Sequence, residues 1–181
     1  PDTETKVSPN AEKNFIETNA IKWIMNPYDE FAVEQALQIK QANAGSTVTV
    51  LRVGSTQSSE TLRTAMAMGA DDGVLVEAPD LLDSFTTARA LKAAIEKTAK
   101  APDLILCGKQ AIDSDALQVP QILGQLLDAP SVSVVVGFEQ EGETLKLKRE
   151  IDGGSLEIYE TKTPCVIAWN KGLNTPRYAS L

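Results

Sequence analysis

Lys109, Asp113, Ser114 and Asp115 fall in one short polar loop, Gly108 to Gln118. Their types suit a phosphate: the lysine can neutralise it, the serine can donate to it, and two closely spaced carboxylates can carry Mg²⁺ beside it. The same carboxylates also serve simply as helix caps, and the lysine as a solvated loop residue. An apolar run, Leu104 to Cys107, precedes the loop, and helical spacing resumes after it. The outline is therefore strand, loop, helix. Ligands of open α/β sheets collect beyond the strand ends, where helix N-termini point free N–H groups, so the loop reads as an anion or nucleotide site. An ordinary βα connection has the same outline and stays open.

Catalytic alternatives are few. Histidine is absent, which removes Ser-His-Asp and Cys-His chemistry and, with no closely spaced cysteine pair, the common zinc sites. Neither a G-x-G-x-x-G after a strand nor a G-x-x-x-x-G-K-[ST] is found. The residues read as a nucleotide-binding α/β domain without a visible catalytic group.

The elements that must position this loop follow from periodicity. Residues 1 to 25 are polar and irregular, then apolar at Phe15, Ile16, Ile21, Trp23 and Ile24, and read as loop with a short hairpin. Asn26 is placed to cap a helix, with Pro27 in its first turn and Asp29 and Glu30 at its positive end. That helix runs through Phe31, Val33, Ala36, Leu37 and Ile39 to Asn43 and Gly45. Thr47 to Val53 is a β-branched strand ended by Gly54. Ser58 or Ser59 opens a helix through Leu62, Ala65, Met66 and Met68, both methionines being read as core, and Gly69 closes it.

A strand at Gly73 to Glu77, a helix from Ser84 to about Lys100, the strand Asp103 to Cys107 and a helix Leu117 to Leu127 follow, Pro120 being tolerated only in a first turn. This alternation predicts an α/β fold: a parallel sheet flanked by helices on both faces in three layers. After residue 130 the pattern changes. Val132 to Phe138, Leu145 to Ile151, Leu156 to Tyr159 and Val166 to Trp169 alternate apolar and polar residues around Gly-containing turns, predicting an antiparallel β meander.

At 181 residues the chain suits one domain with a normal core. Its 17 basic and 25 acidic residues leave a net charge of −8, which opposes nucleic acid and anionic lipid. Cys107 and Cys165 each sit in an apolar run, as reduced thiols do. No apolar run is long enough to span a bilayer and no signal-peptide pattern is seen, so no membrane insertion is expected.

Several blocks carry a family resemblance. Asn26-Pro27-Tyr28-Asp29-Glu30-Phe31-Ala32-Val33-Glu34-Gln35-Ala36 and Glu60-Thr61-Leu62-Arg63-Thr64-Ala65-Met66-Ala67-Met68-Gly69-Ala70-Asp71 resemble the beta subunit of electron transfer flavoprotein. So do Gly108-Lys109-Gln110-Ala111-Ile112-Asp113, Arg149-Glu150-Ile151-Asp152-Gly153-Gly154, Leu173-Asn174 and Pro176-Arg177-Tyr178-Ala179-Ser180-Leu181. The blocks run in family order along essentially the whole chain.

The resemblance implies an adenine-nucleotide-binding, Rossmann-like fold in a heterodimer with an alpha subunit that carries most of the FAD site. It implies an electron carrier without catalytic residues of its own. Single electrons would pass from acyl-CoA dehydrogenases and related flavoenzymes, in fatty acid beta-oxidation, to FAD and on to a quinone oxidoreductase. The setting would be the cytoplasm of a bacterium or the mitochondrial matrix of a eukaryote.

A structural AMP is implied at Asn26, Pro27, Tyr28 and Asp29, at Val53, and at Gly108, Lys109, Gln110, Ala111, Ile112, Asp113, Ser114, Asp115, Ala116, Leu117, Gln118 and Val119. A second FAD in its place is the alternative occupant. Arg177, Tyr178 and Leu181 match the start of the family's recognition loop, whose leucine plugs an apolar pocket on the dehydrogenase. Glu150 is expected to be a charge partner for the alpha subunit, or else a solvated strand-end acid.

The family has a strand before Pro-Asp-Thr and a lysine-rich segment and tail after the position of Leu181. The chain is accordingly expected to be part of a longer subunit. Val119-Pro120 stands where the family commonly has Thr-Gly or Val-Gly, supplying neither a hydroxyl nor a second N–H. Two readings outside the family are an ATP-hydrolysing enzyme, whose Ser-Gly-Gly-x-Asp-Ser loop is not present, and a free-standing nucleotide-binding protein.

Overall fold

A computed structural model describes residues 1–2, 4–18, 21–79, 81–97 and 101–179. Asn26 precedes helix α1, Pro27–Ala42, which has Pro27 in its first turn, Asp29 and Glu30 at its positive end and Lys40 at its negative end. All three charges complement the helix dipole. At the far end the Ile39 carbonyl accepts from both the Asn43 backbone N–H at 3.0 Å and the Asn43 side chain at 2.9 Å. Strand β1, Thr49–Gly54, leads through a 3-10 turn at Thr56–Ser59 into α2, Glu60–Met68. Gly69 ends α2 with φ of 125°, a conformation that favours glycine. Then come β2, Asp72–Glu77, α3, Ser84–Lys97, β3, Leu104–Gly108, and α4, Val119–Leu126. The end expected for α3 near Lys100 lies outside the described residues.

The expected helix from Leu117 begins two residues later, at Val119. Pro120 dictates this, because only an N-terminal turn has no use for the N–H it lacks. Of the two methionines read as core, Met68 is buried and Met66 is exposed.

Four strands complete the chain: β4, Ser131–Glu141, β5, Thr144–Glu150, β6, Leu156–Lys162, and β7, Cys165–Trp169. β4, β5 and β6 form the predicted antiparallel meander. The last strand departs from expectation. β7 is not a fourth meander strand: it runs parallel to both neighbours, between β3 and β4, in the order β3-β7-β4-β5-β6. All five of its residues are buried, and an unbroken apolar run is what a strand covered on both faces requires.

β1 and β2 pair in parallel as a separate two-stranded sheet. No ladder among the described residues joins it to β3, so the single parallel sheet expected is hydrogen-bonded as two. Packing nevertheless treats them as one layer. On one face α1 contributes Ala32 to a cluster with Val135, Leu145, Leu147, Ile167 and Trp169, and Val33 and Leu37 to another with Met68 and Val50. On the other face α3 and α4 bury Ala88, Ile95 and Leu123 against Leu51 of β1 and Ile105 of β3. Helix, sheet, helix is the three-layer α/β architecture predicted. Each large apolar side chain buried in these layers contributes about 1.5–3 kcal/mol.

Both cysteines are free. Burial pushes the Cys107 thiol up to about 12, with the Asp29 charge adding to it, and the Cys165 thiol up to about 11. Such thiols are unreactive at neutral pH. Among the described residues no helix is long and apolar enough to cross a membrane.

Candidate functional site

The carboxyl end of β3 meets the first turn of α1, and the contact is closer than side chains allow. A Cβ on Gly108 would lie 2.7 Å from both the Asp29 nitrogen and the Tyr28 carbonyl carbon. That approach lets the Gly108 N–H donate to Asp29 Oδ1 at 2.6 Å. Asn26 closes the corner. Its Nδ2 donates to Asp29 Oδ2 at 3.0 Å and to the Gln110 carbonyl at 2.8 Å, and its Oδ1 accepts from the Ile112 N–H at 3.2 Å. Asn26 thus holds the helix N-cap position, but its side chain makes no cap hydrogen bond. It fastens the loop instead.

The loop has its own order. The Lys109 N–H donates to the Trp169 carbonyl of β7 at 2.8 Å, extending the β3–β7 ladder by one residue. Its ammonium lies 5.8 Å from the centroid of the Tyr28 ring, within cation–π range. The Asp115 N–H returns to the Ala111 carbonyl at 2.8 Å and the Ala111 N–H to the Ala116 carbonyl at 3.2 Å, while Gln110 Nε2 donates to Asp115 Oδ1. Ala111, Ile112, Asp113, Ser114 and Asp115 are exposed, Ala116 and Leu117 half-buried, and Gln118 exposed. α4 then begins at Val119, where Val119 and Gln121 offer N–H groups without intrahelical acceptors and Pro120 offers none.

Burial raises the Asp29 carboxyl above its ordinary value, opposed by the hydrogen bonds from Asn26 and Gly108 and by the nearby Arg52 charge. Burial likewise raises Glu30. Asp29 is thus a carboxylate spent on internal donors. Among the described residues no group of three His, Cys, Asp or Glu is placed to hold a metal.

The structure brings Asn26, Tyr28 and Asp29 together with Gly108, Lys109, Gln110 and Ile112. Val53 stands half-buried on β1, in the other sheet, opposite Val76. Its neighbour Arg52 is the residue whose charge reaches Asp29, and sequence reasoning passed it over. One further atom belongs to this end of the fold: Gln121 Oε1, in the first turn of α4, is buried without a hydrogen-bond partner. An orphaned amide oxygen beside an exposed loop fits a ligand that brings its own donors.

The other predicted residues lie elsewhere. Glu150 ends β5, and its Oε2 accepts from Asn170 Nδ2 at 2.9 Å. The Asp152–Gly154 turn follows, with Gly153 at φ of 76° and Gly154 at 77°. Arg177 forms a bidentate pair with Glu34 of α1, Nε to Oε2 at 2.7 Å and Nη2 to Oε1 at 2.9 Å. Tyr178 is exposed, and Leu181 lies outside the described residues. Glu34 was also missed in the sequence. Its signal was a charge set among Ala32, Val33 and Leu37 on the buried side of α1, where an amphipathic helix otherwise keeps apolar residues.

Asn26→Ala removes three hydrogen bonds that no neighbour can replace. The expected result is a loss of about 1–3 kcal/mol, measured by urea unfolding. An unchanged midpoint would show that the loop is held by other contacts.

Residues 14–180 match the family described as Electron transfer flavoprotein domain. The curated relatives include an electron transfer flavoprotein subunit beta of Bradyrhizobium diazoefficiens, 41% identical over 180 residues, or 99% of this chain and 71% of the relative. The subunit beta of Homo sapiens is 40% identical over 184 residues, with the same shares covered. The Arabidopsis thaliana relative, named as mitochondrial, is 38% identical over 182 residues, again 99% of this chain and 71% of the relative.

Proposed function

This chain belongs to the electron transfer flavoprotein family, where it matches beta subunits along nearly its whole length, and on that premise we propose that it holds a structural AMP and docks the flavoenzymes that deliver electrons. A beta subunit implies an alpha subunit, and an electron-transfer role comes with the family. The finer reading is carried by one observation: Asn26, Asp29 and Gly108 form a hydrogen-bonded corner that fastens the largely exposed loop after β3, the Asp29 carboxylate accepting from Asn26 and Gly108.

In this reading Gly108 to Val119 surround the AMP, with Asn26 to Asp29 and Val53 bordering the adenosine. Loop N–H groups and the α4 N-terminus receive the phosphate. With Pro120 contributing no N–H, Lys109, Ser114 and the Val119 and Gln121 N–H groups carry that contact. The orphaned Gln121 oxygen supports a donor-rich ligand at this end of the fold. In this reading Lys109, Asp113 and Ser114 position a nucleotide that is held and not consumed.

FAD, held mainly by the alpha subunit, supplies the one-electron carriage. Glu150, oriented by Asn170, is the charge offered to that subunit. Acyl-CoA dehydrogenases dock on the segment from Arg177 through Tyr178 to Leu181, whose leucine fills their pocket, and a quinone oxidoreductase takes the electrons on. The compartment is the cytoplasm in a bacterium or the mitochondrial matrix in a eukaryote.

Co-expression with the alpha subunit tests the reading. The expected product is a yellow 1:1 complex with one FAD and one AMP. A colourless homodimer that hydrolyses ATP would overturn it. Within that complex, Leu181→Ala is expected to raise the KM of an acyl-CoA dehydrogenase for the flavoprotein about tenfold, the loss of one aliphatic anchor, while flavin content and dithionite reduction stay unchanged. Lost flavin would instead make the residue structural.

A further inference from the structure

The buried side of α1 is interrupted by two polar residues, Glu34 at 4% exposure and Gln35 at 6%. A buried carboxylate is tolerated only when paired, and the partner comes from the other end of the chain. Arg177 grips Glu34 through Nε, Nη2 and its own backbone N–H, the last at 3.2 Å. Gln38, one turn on, donates to Glu34 Oε1 at 2.9 Å. Asn174 Nδ2 donates to the Phe31 carbonyl and to Gln35 Oε1, both at 3.1 Å. Residues 31, 34, 35 and 38 share one side of a helix, so the chain from Asn174 to Arg177 lies strapped along it. Pro176 between the two grips fixes its own φ. One residue past the second grip, Tyr178 is 98% exposed.

We infer that Glu34, Arg177 and Asn174 form a positioning clamp for partner docking, fixing the direction in which the chain leaves α1 so that Tyr178 and the residues after it meet an electron-donating flavoenzyme already oriented. This rests on the docking role given above to the segment from Arg177. Its physical basis is twofold. A segment held in its bound direction loses less freedom on association. A bidentate guanidinium–carboxylate pair fixes orientation as well as distance, which apolar packing at the same place does not. Burying such a pair gains little stability over apolar replacements, so geometry is what it contributes.

The test uses the purified two-subunit complex and an acyl-CoA dehydrogenase reduced by its acyl-CoA. Glu34→Gln keeps the side-chain size but loses the charge. The KM for the flavoprotein is expected to rise about tenfold with kcat within about twofold, while flavin content and dithionite reduction are unchanged and trypsin cuts faster after Arg177. Asn174→Ala should raise KM about threefold, and it decides the matter if Glu34→Gln does not fold. If Leu181→Ala raises KM and the folded clamp variants do not, the clamp is overturned and the docking role stands. If none of the three raises KM, the docking role itself falls. Flavin content lost in step with KM would also overturn the clamp, since a merely structural pair behaves that way.

Discussion

Gly108→Ala is expected to cost about 3 kcal/mol or more, the upper range for an overpacked methyl, and to displace the loop that follows. The added carbon would meet backbone, at 2.7 Å from the Asp29 nitrogen and the Tyr28 carbonyl carbon, so no rotamer change relieves it. Neither side can retreat. Gly108 is the last residue of β3 and pairs with Trp169 of β7, while Tyr28 and Asp29 form the first turn of α1, laced to the loop through Asn26. Relief must separate α1 from β3, exposing Leu104 and Leu106 where they pack against the Ala32 cluster. Gly45→Ala is the control: it has no atom within 4 Å and a φ of 87°, so its cost is the backbone term alone, about 1 kcal/mol. Thermal or urea unfolding of both measures the difference. A Gly108→Ala loss no larger than that of Gly45→Ala would show that the helix and strand yield easily.

Arg177→Gln is expected to destabilise by about 1–3 kcal/mol near pH 7, and the deficit should shrink on acidification. Stripping a partner from a fully buried charge costs about 3–5 kcal/mol. Arg177 is one-third exposed, so water replaces part of what is lost. The sign follows from Glu34. The Arg177 hydrogen bonds hold its carboxyl below the ordinary 4.5, against the opposing effect of burial. A depressed carboxyl contributes stability that is present above 4.5 and lost as pH falls through the depressed value. Asp29 runs the other way: burial raises it above 3.8, so its contribution declines as pH rises from there. Wild type and variant share Asp29, and their difference isolates Glu34. A gap independent of pH from 7 to 3 would show that the pair acts through packing.

What the sequence made legible was local. Asn26-Pro27 and Gly69 bounded their helices, and the Asp152-Gly153-Gly154 turn lies where its glycines placed it, since turn and cap chemistry needs only neighbours. Pairing across the chain was not legible. Cys165–Trp169 showed an apolar strand, but nothing within five residues says that it inserts between β3 and β4, because short apolar runs carry no record of their partners. The candidate cradle divides the same way. Asn26, Asp29 and Gly108–Ile112 were named and converge, yet the cap role assigned to the Asn26 side chain gave way to acceptors and donors in a loop 84 and 86 residues on. Glu34 showed only as an ill-placed charge until Arg177, 143 residues later, supplied the reason.

One helix serves both devices. α1 has 16 residues, a rod about 24 Å long, laced to the loop after β3 through its first turn and to the Asn174–Arg177 strap along its middle. Sub-global unfolding proceeds in contiguous cooperative units, and an opening that lifts α1 from the sheet releases Gly108 and Arg177 in the same event. The Gly108 corner and the Arg177 strap therefore share a single opening free energy.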